Sequence, residues 1–408
     1  MKPIKHSEFI LTLVTTAIFM NVYLEFILIA TTSIYILYNN PKIKKSILVI
    51  LPYLFILFIH ALVITTYINY SILKTIQQLF LFIGYLGCYS IIFSFFQYDT
   101  NRLFEKYLKV AYAISLIGIS QFVVFLIFGV KNLFILPYSA SEILPGVIRV
   151  SSIVKEPGNL AGLLIPSLVF FLFSEKQKKN TYKITHFLVI LSCFILTFSN
   201  AGFFIFGLSL IFYLITRWRK RIKSIVVSIL LISSVLLISN KGHIVSITTR
   251  IWNTINNTYD GLTNIRPEIY ENMGISSYAL LSNLYVALNS PSRIMGTGLG
   301  THEQNYYARY QSSFKEYGQN AQDGYSLLIR IFSEFGIIGI LILFVFIYRN
   351  ININNAINIA ILFLILQLLI RGGHYTLYGT IYFFFLYRFS NKRFLSQQNK
   401  KHFINAHN

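Results

Sequence analysis

Charge is what this chain has least of. Only 12% of its 408 residues are Asp, Glu, Lys or Arg, and just 14 are acidic. A soluble domain carries roughly twice that charged fraction, so an ordinary water-soluble globule is excluded. Cysteine is nearly absent as well. Cys88 and Cys193 both fall inside apolar runs, which supports neither a disulfide framework nor a thiolate metal site. On the prospective outer side there is no His-x-x-x-His, no Asp-rich cluster and no carboxylate pair at hydrolase-like spacing. Metal-dependent chemistry is therefore not expected, and no cofactor is. Strict apolar–polar alternation is missing too, which argues against a membrane barrel.

What the chain does have is apolar sequence, 55% of all residues. Stretches such as Ile47–Ile59, Leu79–Phe96, Ile225–Ile238 and Ile359–Ile370 are long enough, with their flanks, to cross a hydrocarbon core of about 30 Å. In lipid every backbone polar group must be satisfied within the segment, which leaves helices. The predicted fold class is an all-α polytopic integral membrane protein. The net charge of +21 does not point to nucleic acid, because the lysines sit in short clusters beside apolar runs. Lys42, Lys44 and Lys45 form one such cluster, and Lys176, Lys178 and Lys179 another; this is the pattern of cytoplasmic loops. Met1–His6 before an apolar run resembles a signal peptide, but no small-residue cleavage pattern follows, so the run is expected to be the first helix.

Residues 8–38 are too long for one untilted crossing and are interrupted by Asn21 and Glu25, which predicts two short helices. Further spans are expected at 46–68, 72–96, 108–129, 158–174, 184–199, 201–216, 222–239, 326–347, 355–371 and 375–389. The total is about 11–12 transmembrane helices. The chain then divides into N-terminal helices (1–129), a first outer loop (130–157), central helices (158–239), a large outer loop (240–325), C-terminal helices (326–389) and a basic tail (390–408). Placing the N-terminus inside puts Arg217-Trp-Arg-Lys-Arg221 and Glu175–Lys179 in the cytoplasm, as the positive-inside rule requires. Both loops then lie outside. Arginine, whose rigid fork suits phosphate, is the commoner cation on that side.

Four passages could carry chemistry. Arg149 and Lys155 approach Glu156-Pro-Gly-Asn159, whose ordinary account is a helix start with Pro in the first turn and a carboxylate beside the helix N-terminus. Gly296-Thr-Gly-Leu-Gly-Thr-His302 lacks the βαβ context of a nucleotide loop and is expected to return the chain tightly to the membrane. Arg330 and Glu334 in the third are four apart and share a helix face; they either pair internally or line a watery cavity. Arg371-Gly-Gly-His374 ends the penultimate span, where Arg371 either snorkels or meets an anionic headgroup. Tyr306, Tyr307, Tyr310, Tyr317 and Tyr325 read equally as an interfacial aromatic belt or as a stacking platform for sugars.

At these residues the chain resembles the O-antigen polymerase (Wzy) and O-antigen ligase superfamily of bacterial envelope proteins. Arg149 with Glu156-Pro-Gly-Asn-Leu-Ala161, Gly296-Thr-Gly-Leu-Gly300 and Ser333-Glu-Phe-Gly-Ile-Ile-Gly339 are similar to three of its motifs. Arg250 with Gly261 resembles an arginine–glycine spacing of some of its polymerases. Tyr325-Ser326 stands where ligases present His-Asn, which favours polymerase. The resemblance implies a fold like the GT-C glycosyltransferases and an inner-membrane location with the active site facing the periplasm. It implies metal-independent, inverting polymerisation of undecaprenyl-pyrophosphate-linked oligosaccharide repeat units. Partners would be that substrate, membrane lipid and a chain-length regulator, without nucleic acid. The expected pyrophosphate clamp draws on Arg149, Arg250, Arg293, Arg330 and Arg371, and Glu156 or His302 assists the acceptor hydroxyl. Tyr306, Tyr310, Asp323, Tyr325 and His374 would hold the glycan. The alternatives are a ligase onto lipid A core and a polysaccharide flippase, although flippases typically show two similar halves and none is visible here.

Overall fold

The computed structural model describes residues 7–20, 22–40, 51–131, 141–144, 146–174, 181–217, 252–253, 256–257, 259–263, 270, 273–372 and 374–391. The described chain is mostly helical. The first apolar run is two helices, α1 (Ser7–Ala17) and α2 (Val22–Asn39). The tight bonds Phe19 N to Thr16 O and Met20 N to Ala17 O close α1 before Asn21. Next come α3 (Leu51–Ile68) and α4 (Ile72–Phe95), joined by a short turn in which Asn69 takes φ 60°. α5 (Thr100–Phe128) begins earlier than the expected 108, because the Asp99 carboxylate accepts from Arg102 N at 3.1 Å and caps the helix. It stops at Gly129 in the left-handed region.

The strands β1 (Ser141–Leu144) and β2 (Val147–Arg149) pair antiparallel, with Ser141 opposite Arg149. They lead into α6 (Pro157–Phe173), with Pro157 in its first turn. α7 (Thr181–Leu196) and α8 (Asn200–Arg217) follow. After the 222–239 span, which lies outside the described residues, come α9 (Ile275–Leu288) and α10 (His302–Arg309). The chain then forms α11 (Leu327–Asn350), α12 (Ala356–Ile370) and α13 (Thr380–Phe389). A helix thus stands over every other expected span. α13 starts at Thr380 rather than 375, because Gly379 with φ 65° turns the chain immediately before it.

α6 is the axis of the bundle. Only Asn159 and Phe171 along it escape full burial, and its broadest contact is with α12. Gly158 and Gly162 let the two helices approach: a Cβ on Gly162 would lie 3.3 Å from Gln367 Cγ, and one on Gly158 would lie 3.4 Å from Arg371 Nε. Small residues four apart are a common basis for close helix packing. Among the described residues three helices, Ile72–Phe95, Thr100–Phe128 and Leu327–Asn350, are long and apolar enough to cross a membrane. Large apolar side chains such as Leu341, Ile342, Phe344 and Val345 stand on the surface of α11.

Candidate functional site

The Gly-x-Gly-x-Gly passage and the Ser-Glu-Phe-Gly passage turn out to be one structure. α11 breaks at Gly336, which takes φ 62° and ψ −158°. A broken helix frees carbonyls at one end and N–H groups at the other. The glycine loop satisfies both. Thr297 N donates to Ser333 O at 3.0 Å and Gly298 N to Glu334 O at 2.9 Å. Ile337 N donates to Arg293 O at 2.9 Å and Ile338 N to Ile294 O at 3.3 Å. Glycine is required on each side: a Cβ on Gly296 would sit 2.2 Å from Glu334 C, and one on Gly336 2.2 Å from Ile294 O. The break fixes the short segment of α11 that carries Arg330 and Glu334.

Arg330 is 2% exposed and its partner Glu334 fully buried. Arg330 Nε meets Glu334 Oε1 at 3.1 Å, while Tyr375 O–H donates to Glu334 Oε2 at 2.8 Å. The guanidinium also lies 4.5 Å from the Tyr375 ring centroid and 3.5 Å, through Nη1, from His374 Nδ1. A buried charge needs such compensation. Tyr375 and Glu334 were not among the expected site residues. Tyr375 gives no signal in the sequence, whereas the Arg330–Glu334 spacing already allowed the internal pair.

Two histidines flank the pair. His302 is fully buried, and its Nε2 lies 2.9 Å from Asn283 Oδ1. Asn283 spends its own Nδ2 on Ala279 O and Gln319 O, so its oxygen must accept and His302 Nε2 carries the proton. Burial first, and the Arg330 charge second, push His302 down to about 3. His374, half-buried, is pushed down to about 3 by burial, then by Arg330 and Lys155. Both rings are neutral at pH 7. Asp323 Oδ2 lies 3.9 Å from His374 Nε2, and its Oδ1 accepts from Tyr325 N at 2.9 Å. Burial raises the Asp323 carboxyl above its ordinary value, opposed by the Tyr325 N–H and by Arg330.

Arg371 completes the cluster from the end of α12. Its Nη2 stands 4.0 Å from Glu156 Oε2 at the start of α6, and its Cζ lies 5.5 Å from the Tyr325 ring centroid. Gly372 N donates to Tyr325 O at 3.0 Å, which ties the end of α12 to the start of α11. Beside these groups a narrow cleft runs between α6 and α12; Gly158, Gly162, Asp323, Gln367, Arg371 and His374 help line it. Gln367 was not expected here, although a lone amide inside the Ile359–Ile370 run was the signal for it.

Glu25 braces this region from behind. It is fully buried and accepts from Tyr89 O–H at 2.9 Å and Gly379 N at 3.0 Å, which holds the turn between His374 and α13.

The remaining expected residues lie elsewhere or are closed off. Arg149 Nε donates to Thr197 O at 3.1 Å, so it fastens β2 to the end of α7. Arg293 is exposed and contributes its backbone carbonyl to the α11 break. Arg250 lies outside the described residues. Tyr306 and Tyr310 are 0% and 2% exposed and pack ring to ring at 5.6 Å, with Tyr317 at 5.8 Å from Tyr306. Burial removes them from glycan stacking and makes them the core of the outer segment. His302 is likewise shut away from any acceptor hydroxyl. No protein-family model, no curated protein and no solved structure matches this chain.

Proposed function

We propose that this protein is a polytopic membrane glycosyltransferase that polymerises lipid-linked oligosaccharide repeat units on the outer face of the bacterial inner membrane. The observation that carries this reading is the gathering of Arg371, Glu156, Asp323, His374 and the Arg330–Glu334–Tyr375 unit at one end of the helix bundle, beside the α6–α12 cleft. The apolar surface of α11 supports lipid contact, and the broken helix is of the kind tolerated at membrane depth where protein satisfies its backbone.

In this mechanism Arg371 holds the pyrophosphate of the donor. Its guanidinium is partly exposed and weakly paired, the nearest carboxylate oxygen being 4.0 Å away. Asp323 serves as base for the acceptor hydroxyl, because a carboxyl raised by burial is a stronger base than a free one. The hydroxyl gives its proton to Asp323, its oxygen bonds to the anomeric carbon, and the bond from that carbon to the lipid pyrophosphate breaks with inversion. Arg371 stabilises the charge that develops on the leaving oxygen. Arg330 is neutralised by Glu334 and orients His374 rather than touching substrate.

The test is the surface-glycan ladder of cells lacking the protein. Core carrying a single repeat unit is the expected result. Polymer stranded on the lipid carrier would make the protein a ligase, and repeat units trapped on the cytoplasmic face would make it a flippase.

A further inference from the structure

Gln367 is 2% exposed, and its Oε1 has no hydrogen-bond partner. Buried amides almost always find partners, so an unmatched one at the wall of a cleft marks a place for a ligand. The cleft is shaped around it. Gln367 lies in the last turn of α12 and Arg371 caps that turn, its N–H donating to Gln367 O at 2.8 Å. Gly158 and Gly162 oppose them with the same spacing on α6. With no side chain on either glycine, Gln367 and Arg371 lie close against the α6 backbone, and the slot left beside them has a cation at its mouth and a carboxamide one turn deeper. Leu163, Leu364, Leu368 and Leu377 supply apolar wall.

The geometry points to Gln367 as the specificity residue for an acylamido substituent on the sugar that carries the pyrophosphate. Resting on the proposed glycosyl transfer, this names the substrate class. A carboxamide offers one acceptor and two donors, so whichever way it is turned it can accept from the ligand N–H and donate to the ligand carbonyl. The acyl methyl would meet the leucines. The substituent next to the anomeric carbon is the one closest to the pyrophosphate, as Gln367 is the next turn from Arg371. A plain hydroxyl would leave half of the buried amide unmatched, and sites built to hydrogen-bond a group reject analogues that lack it.

The experiment is binding of short-prenyl pyrophosphate sugars, differing only in a 2-acetamido or a 2-hydroxyl group, to the full chain in nanodiscs. The expected preference for acetamido is at least about tenfold, falling to within about twofold in Gln367→Leu without weaker binding of the hydroxyl compound. Gly162→Ala, whose Cβ would stand 3.3 Å from Gln367 Cγ, should narrow the slot and lower acetamido binding as a second variant. Equal binding of both sugars by wild type, or a preference that survives Gln367→Leu, overturns the assignment. Polymerisation measured on the same preparation separates the two ideas. Selective binding without polymer keeps the slot and removes the polymerase; polymer without selectivity removes only the slot.

Discussion

The two ends of the helix bundle handle charge in opposite ways. At one end Glu8 pairs with Arg102 at 2.9 Å and Lys106 at 3.5 Å, with Glu8 66% and Arg102 42% exposed. Asn355, Asn358 and Asn391 there tie helix ends together through backbone carbonyls. At the other end Arg330 and Glu334 are sealed from water, two histidines are held neutral, and Asp323 is raised. Exposed pairs add little to stability, so the first end needs only solubility and orientation. Burying charge is costly unless every group is compensated. A chain this short of acidic residues invests several of them at the second end, which is where chemistry is expected.

The largest effect should come from splitting the buried pair. Arg330→Ala leaves Glu334 uncompensated and should cost about 3–5 kcal/mol, read as lost folding yield or a lower denaturation midpoint in detergent. Glu334→Gln leaves the buried Arg330 guanidinium without its counter-charge and should cost a comparable amount; a loss from either variant no larger than that of Arg102→Ala would break the contrast between the ends. Next in size, Arg371→Ala should leave stability nearly unchanged and lower polymerisation by about 100-fold. A stability loss matching that of Arg330→Ala would make Arg371 structural instead.

The pH response sharpens the comparison further. His302 is neutral when folded and titrates near 3, whereas the unfolded ring titrates near 6.5. Between those values the unfolded state binds more protons, so stability falls as pH falls through that window. Acidification from pH 6.5 to pH 5 should cost about 2 kcal/mol through His302, and His302→Gln should remove that part of the slope in a pH series of unfolding curves. Asp323, raised when folded, contributes with the opposite sign from its ordinary value of 3.8 upward. The smallest effect belongs to the exposed end: Arg102→Ala should change stability by about 0–1 kcal/mol and leave glycan transfer intact.

Much of the fold was legible because hydrophobic runs and their punctuation are local signals. The polar break ahead of α2 and the Pro157 helix start each act within a turn or two of themselves. The α5 start was misplaced because the Asp99 cap outweighs the polar residues after it. The site was legible in part. Arg330, Arg371, Asp323, Tyr325, His374 and Glu156 do converge, but their grouping depends on Gly296 docking against Glu334 some forty positions away, which no local pattern reveals. The tyrosine run offered two readings, and burial supplied a third, since a cluster of rings packing on one another has the same sequence signature as a surface platform. Arg149 drew attention by its charge, while its bond to Thr197 O depends on α7 ending beside β2.

The most direct test of the central claim uses the purified full chain in liposomes with lipid-pyrophosphate-linked repeat units. Products of wild type, Arg371→Ala and Arg102→Ala would be compared by gel. The account predicts polymer from wild type and Arg102→Ala, with almost none from Arg371→Ala at equal folded yield. Polymer undiminished in Arg371→Ala, or absent from wild type, would contradict it.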